Sequence, residues 1–164
     1  MRARLLAPML TLTVVVHWVH VIAGLVWAGG LAFMVAALWP ALVRRPSEAR
    51  ALFVAVAPFA GRLMRAAGPL VLVLGVLRGT WLGPVRSWHA LVGTAYGRTF
   101  LAATVLTFAL AAYMGAVRGQ FETRVWDGAA LAPGAAAYLR RTRAVTLAGL
   151  AGLVACMVLM RFGG

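Results

Sequence analysis

The stretch LTLTVVVHWVHVIAGLVWAGGLAFMVAALWPAL, from Leu10 to Leu42, decides the fold. It contains no acidic residue, no lysine and no arginine, and its histidines are His17 and His20. A helix of about 20 apolar residues is enough to cross the roughly 30 Å hydrocarbon core of a bilayer. We therefore predict one long membrane-spanning helix here, which tilts or projects beyond the bilayer.

Three further apolar segments follow, and each has arginines close to its ends. Together with 10–42, the segments at approximately 58–81, 99–117 and 144–160 predict four spans. The chain is 63% hydrophobic and only 12% charged, so it has too little polar surface to cover a water-soluble globule. The predicted fold is all-α: a polytopic membrane protein whose residues 1–164 form one membrane domain, a four-transmembrane-helix bundle.

The arginines predict the orientation of the bundle. All sixteen basic residues are Arg, and ten of them lie in or beside the loops that follow the first and third spans. Since cytoplasmic loops carry an excess of positive charge, both termini are predicted to be extracytoplasmic. The arginines that give the net charge of +13 flank the apolar segments and do not form one stripe, so a nucleic-acid partner is not expected.

All three histidines are predicted to lie toward the outer face. His17 and His20 are three residues apart on one helix, and His89 falls in the loop between the second and third spans. The fourth span returns to that face with Cys156 and Met160. Imidazole, thiolate and thioether are ligands that suit copper, particularly Cu(I), so these five residues form one candidate metal site. Ordinary packing or hydrogen bonding between helices is the alternative for each.

Haem b is the second candidate ligand. Its iron takes imidazole from histidine, and its propionates favour arginine. Arg78, Arg86 and Arg98 lie on the same predicted side as His17, His20 and His89. Glu48, Glu122 and Asp127, the only acidic residues, all fall in predicted cytoplasmic loops. An outer face with arginines and no carboxylate suits an anionic group, so this charge pattern favours haem.

Two motifs carry a resemblance to a known family. HVIAGLVWAGGL, from His20 to Leu31, is followed by Pro40 and resembles the first helix of the bacterial copper-resistance protein D family. TAYGRTFL, from Thr94 to Leu101, resembles that family's motif at the entry to the third span. The resemblance covers about Thr11 to Gly119 and implies an inner-membrane protein of copper uptake or tolerance, with His20 as the family's first-helix histidine.

A weaker resemblance links the chain to the small haem-binding protoporphyrinogen oxidases, which also place a histidine in the first span. Those proteins carry a lysine in a later span, and this chain has none. Three functions therefore stay open: copper binding or transport, a haem b protein for electron transfer or oxidation, and a structural membrane subunit. The expected partners are membrane lipid, copper or haem, a periplasmic copper or redox protein, and a second copy of the chain.

Overall fold

A computed structural model describes the backbone of residues 2–162 and the side chains of residues 9–162. The chain forms six helices, one π-helical turn and one small hairpin in these residues. In order they are α1 (Arg2–Phe33), the π-helical turn (Met34–Leu38), α2 (Trp39–Arg44), α3 (Ala49–Gly79), α4 (Trp88–Gly93), α5 (Ala95–Val125), β1 (Trp126–Asp127), β2 (Ala130–Leu131) and α6 (Ala135–Phe162). The two strands pair antiparallel, and Gly128 makes the turn between them at φ +61°, a conformation that glycine adopts readily.

Four helical segments are long and apolar enough to span a membrane, which confirms the predicted all-α bundle. They are Met9–Arg44, Ala49–Gly79, Ala95–Val125 and Ala135–Phe162. Helices α5 and α6 extend beyond the predicted apolar segments chiefly at the ends where arginines cluster, whereas α3 begins earlier than predicted, with the apolar residues 51–57. Hydropathy marks only the part of a helix that lies in hydrocarbon, whereas the helix continues into the headgroup region, where arginine is well solvated.

The outward surface of the bundle is apolar. Only 6% to 33% of the residues in the apolar stretch of each spanning helix are buried. Large side chains such as Leu25, Phe59 and Phe108 are more than 60% exposed. Threonines within the helices satisfy their own hydroxyls, as Thr107 does by donating to the carbonyl oxygen of Ala103 at 2.7 Å. A surface of this kind is stable in lipid, so the chain is a multi-pass membrane protein.

The long helices form two antiparallel pairs. Helix α1 packs on α3 and α5 on α6, while contacts of α3 with α5 and of α1 with α6 close the bundle. The N-terminal part of α1 and the C-terminal part of α6 therefore lie at the same end, together with α4. We call this the α4 end, and the opposite end, which carries β1 and β2, the hairpin end.

Glycines set the close approach of α1 to α3. A Cβ atom added to Gly30 would lie 2.9 Å from Cγ of Met64, one on Gly68 would lie 3.2 Å from Nε1 of Trp27, and one on Gly75 would lie 3.0 Å from Cε1 of His20. The residue numbers of the contacts thus decrease along α1 as they increase along α3, as antiparallel packing requires. Small residues allow this proximity where lipid provides no hydrophobic drive for helix association.

An aromatic core fills the hairpin end. The Phe53 and Phe121 rings stack with centroids 4.6 Å apart, and Trp39 and Trp126 pack around them. Arg50 donates to Glu122 at 2.8 Å, and its guanidinium lies 4.9 Å from the centre of the Trp126 ring. This layer ties α2, α3, α5 and β1 together.

Candidate functional site

His20 lies between α1 and α3 with its ring against Gly75 and within hydrogen-bonding reach of the main chain of Val71. Its Nδ1 atom is buried and makes no hydrogen bond of good geometry. Leaving a buried polar atom unpaired costs about 1 to 3 kcal/mol, and native structures rarely tolerate it without a reason. This nitrogen is therefore the strongest candidate ligand atom at the α4 end.

Two neighbours complete a cluster around His20. His17, one turn earlier on α1, and Arg78, near the end of α3, are both close enough to act electrostatically on the His20 ring. Nε of Arg78 is also buried and has no hydrogen-bond partner. We call His17, His20 and Arg78 the His20 cluster; it combines an unpaired imidazole nitrogen with an unpaired guanidinium N–H.

The other two predicted arginines, Arg86 and Arg98, donate to backbone carbonyl oxygens in the connection between α3 and α5. Nε of Arg86 donates to the carbonyl oxygen of Gly83 at 3.2 Å, and Nη1 of Arg98 lies 3.4 Å from the carbonyl oxygen of Val92. Both side chains are exposed. Arg86 also lines a shallow groove of about 430 Å³ with Trp81. Of the three arginines, Arg78 is thus the one in the His20 cluster.

His89 lies apart, on the surface of α4. It is exposed, and its ring packs over Gly93 of the same helix, where an added Cβ atom would lie 3.0 Å from Cε1. Cys156 and Met160 are half-buried on α6 at the same end of the bundle. Among the described residues, no group of three or more His, Cys, Asp or Glu side chains gathers closely enough to hold a metal ion. The structure therefore does not bring any three of His17, His20, His89 and Cys156 together, and His17 and His20 are the two that it places close to each other.

The TAYGRTFL motif has a structural role. Oγ1 of Thr94 accepts from the backbone N–H of Gly97 at 2.9 Å, which caps the start of α5, and donates to the carbonyl oxygen of Ala90 at 2.6 Å. Gly97 lies directly against the main chain of Ala90 and Leu91 in α4. This part of the motif thus fixes the corner between α4 and α5.

Sequence reasoning missed a pair of polar atoms at the hairpin end. Nε1 of Trp39 and Nε1 of Trp126 are both buried without a hydrogen-bond partner, and Trp39 directly follows the π-helical turn. The only signals in the sequence are the Trp39-Pro40 pair and the turn-forming residues after Trp126. Neither signal indicates that the two indoles share one core.

Comparisons with protein-family models, with curated proteins and with solved structures found no match for this chain. The resemblance to the copper-resistance protein D family rests on its two motifs and stays a prediction.

Proposed function

We propose that this membrane protein binds copper at its α4 end, with His20 and His17 as the nitrogen donors. The observation that supports this function best is the buried, unpaired Nδ1 of His20 beside a second imidazole. Imidazole is a good copper ligand, and Cu(I) accepts as few as two donors. Half-buried Met160 on α6, at the same end, is the candidate for a further, thioether donor.

The bound ion would be passed on rather than pumped. Glu48, Glu122 and Asp127 lie outside the four predicted spans, so the apolar segments contain no carboxylate that could couple transport to a proton. Copper would reach the His20 cluster from a periplasmic donor or leave it for an acceptor there. Exposed His89 on α4 is the candidate for first contact with that partner.

Haem b is the second candidate, favoured by the unpaired Nε of Arg78 next to His20. His20 would hold the haem iron, and Arg78 would pair with a propionate through a charge-assisted hydrogen bond, which arginine makes well. When bound, the haem would supply one-electron chemistry. Within the chain, Arg78 would then raise the haem potential through its positive charge.

Metal content and the absorption spectrum of the detergent-purified protein test the copper proposal. We expect about one copper per chain after washing and no Soret band. His20→Ala should weaken copper binding by at least about tenfold, and His17→Ala by somewhat less. His89→Ala is the control: since His89 is proposed to contact the partner and not the bound ion, the purified variant should bind added copper like the unaltered protein.

Arg78→Gln separates the two ligands by the sign of its effect. Removing a positive charge beside the site should tighten copper binding, because a cation no longer faces a like charge. The same change should weaken haem retention, because a propionate loses its partner. A Soret band that Arg78→Gln diminishes would replace copper by haem. A protein that retains neither ligand would leave a role as a structural subunit.

In this proposal the α4 end faces the periplasm. Starting from Cys156→Ala, Ser87→Cys at the α4 end should react with a membrane-impermeant maleimide in intact cells. Ala129→Cys, in the turn between β1 and β2, should react only after the cells are permeabilised. Both positions are exposed, so accessibility of the thiol depends on the side of the membrane. The opposite labelling pattern would reverse the orientation.

A further inference from the structure

A groove of about 520 Å³ opens on the lipid-facing side of α1 and α3, in the half of the bundle toward the hairpin end. Its lining is apolar and includes Gly29 and Phe33 from α1 and Phe59 and Leu63 from α3. Nothing lies within 4 Å of a Cβ atom added to Gly29, so the missing side chain leaves open space there. The groove therefore offers a channel for a flexible apolar chain.

One arginine, Arg62, stands beside this groove, and a second, Arg65, lies one turn further along α3. The Arg62 guanidinium lies 4.8 Å from the centre of the Phe59 ring, which lines the groove. Nη1 of Arg65 would lie 3.5 Å from a Cβ atom on Gly61, so the side chain folds back toward the hairpin end. Helical side chains lean toward the helix N-terminus, and here that direction leads to the headgroup region.

No carboxylate neutralises these two charges in the part of the chain that the structure describes. The ion pairs there are Arg45 with Glu48 and Arg50 with Glu122, and neither involves Arg62 or Arg65. Both arginines are exposed on the outward surface of α3, and their long side chains can reach from an apolar span toward the headgroups. Unpaired arginines that reach the headgroups favour a phosphate group as their partner.

We propose that this surface is a binding site for an anionic phospholipid. Arg62 and Arg65 bind the headgroup phosphate, and one acyl chain occupies the groove across Gly29 between Phe33 and Leu63. A second copy of this chain fits less well, because a twofold axis along the membrane normal would bring two unpaired arginine pairs to the same depth. The site does not depend on copper or haem, since it lies at the other half of the bundle.

Titration of the detergent-purified protein with single lipids, followed by native mass spectrometry, tests the headgroup contact. We expect phosphatidylglycerol to bind about tenfold more tightly than phosphatidylcholine with the same acyl chains. Arg62→Gln combined with Arg65→Gln should abolish this preference. Arg140→Gln combined with Arg141→Gln removes the same charge from exposed positions on α6 and should leave the preference intact. Equal loss in both double variants would mean unspecific attraction and would overturn the proposal.

A second variant tests the groove itself. Gly29→Leu should fill the open space and weaken binding of both lipids by about fivefold or more, without removing the preference for phosphatidylglycerol. Gly24→Leu is the matched control, because nothing lies within 4 Å of its added Cβ atom and it does not line the groove. Glycerol phosphate should not displace the lipid. Displacement by glycerol phosphate, or unchanged binding in Gly29→Leu, would show an anion site without an acyl-chain site and overturn the proposal.

Discussion

Gly97→Ala is expected to destabilise the bundle by about 2 to 3 kcal/mol, toward the upper end of the range for an overpacked position. The added methyl group would collide with the main chain of Ala90 and Leu91, and it would lie 2.7 Å from the Leu91 carbonyl carbon. A side chain can rotate away from such a collision, but a helix backbone must move as a unit. The corner between α4 and α5, which Thr94 also caps, would have to open.

Gly115→Ala on the same helix is the control for this experiment. Nothing lies within 4 Å of its added Cβ atom, so alanine should be neutral or stabilising by up to about 1 kcal/mol because it lowers the backbone entropy of the unfolded chain. Unfolding in a mixture of detergent and dodecyl sulfate, followed by circular dichroism, measures the free energy of unfolding of both variants. Similar stabilities for the two would show that α4 does not pack against Gly97 as described.

The spans were predictable because one physical requirement determines them. An apolar segment of about 20 residues in hydrocarbon can satisfy its backbone hydrogen bonds within itself only as a helix, so four such segments predict four helices irrespective of their contacts. The full helix lengths were not predictable from hydropathy. Residues 118–125 and 135–143 include several arginines, so hydropathy gives little signal for a helix there; residues 51–57 are apolar, and the predicted second span, which starts at 58, was too short at this end.

The candidate site was predictable only in part. Spacing alone puts His17 and His20 on neighbouring faces of one helix. Which residues of α3 meet them depends on the register between two helices, and the contact of His20 with Gly75 fixes that register. Likewise, three arginines near one membrane face look equivalent in the sequence. In the structure, Arg86 and Arg98 donate to backbone carbonyl oxygens of the loop and of α4, and Arg78 is the one that lies beside His20.

The part of α5 that forms the aromatic core at the hairpin end mixes apolar and charged residues. Val117, Phe121 and Val125 recur every four residues and share one buried face of α5. The intervening Arg118, Glu122 and Arg124 lower the hydropathy of the segment, so the predicted span stops at 117. The recurrence of an apolar residue every four positions was the signal in the sequence that the helix continues. The exposed ion pair of Arg50 and Glu122 borders this layer, and near such charges, which favour water, burial of apolar surface contributes more than it does within lipid.

Phe121→Ala is therefore expected to be as costly as a core truncation in a soluble protein, about 3 kcal/mol or more. Its side chain is only 7% exposed, and it contacts the rings of Trp39, Phe53 and Trp126. Removing it leaves a cavity that the helices cannot close without shifting Trp126, on which Arg50 rests. The indole environment changes too, so tryptophan fluorescence should shift even in the variant that stays folded.

Phe108→Ala separates this packing effect from the loss of an aromatic side chain. Phe108 lies on the same helix but is 66% exposed on the lipid-facing surface, where lipid replaces the lost contacts. Its truncation should change the free energy of unfolding by no more than about 0.5 kcal/mol. Unfolding curves for the two variants, measured in the same detergent mixture, give the comparison directly. Equal costs would mean that the hairpin end has no tightly packed core and that lipid contacts dominate stability throughout the bundle.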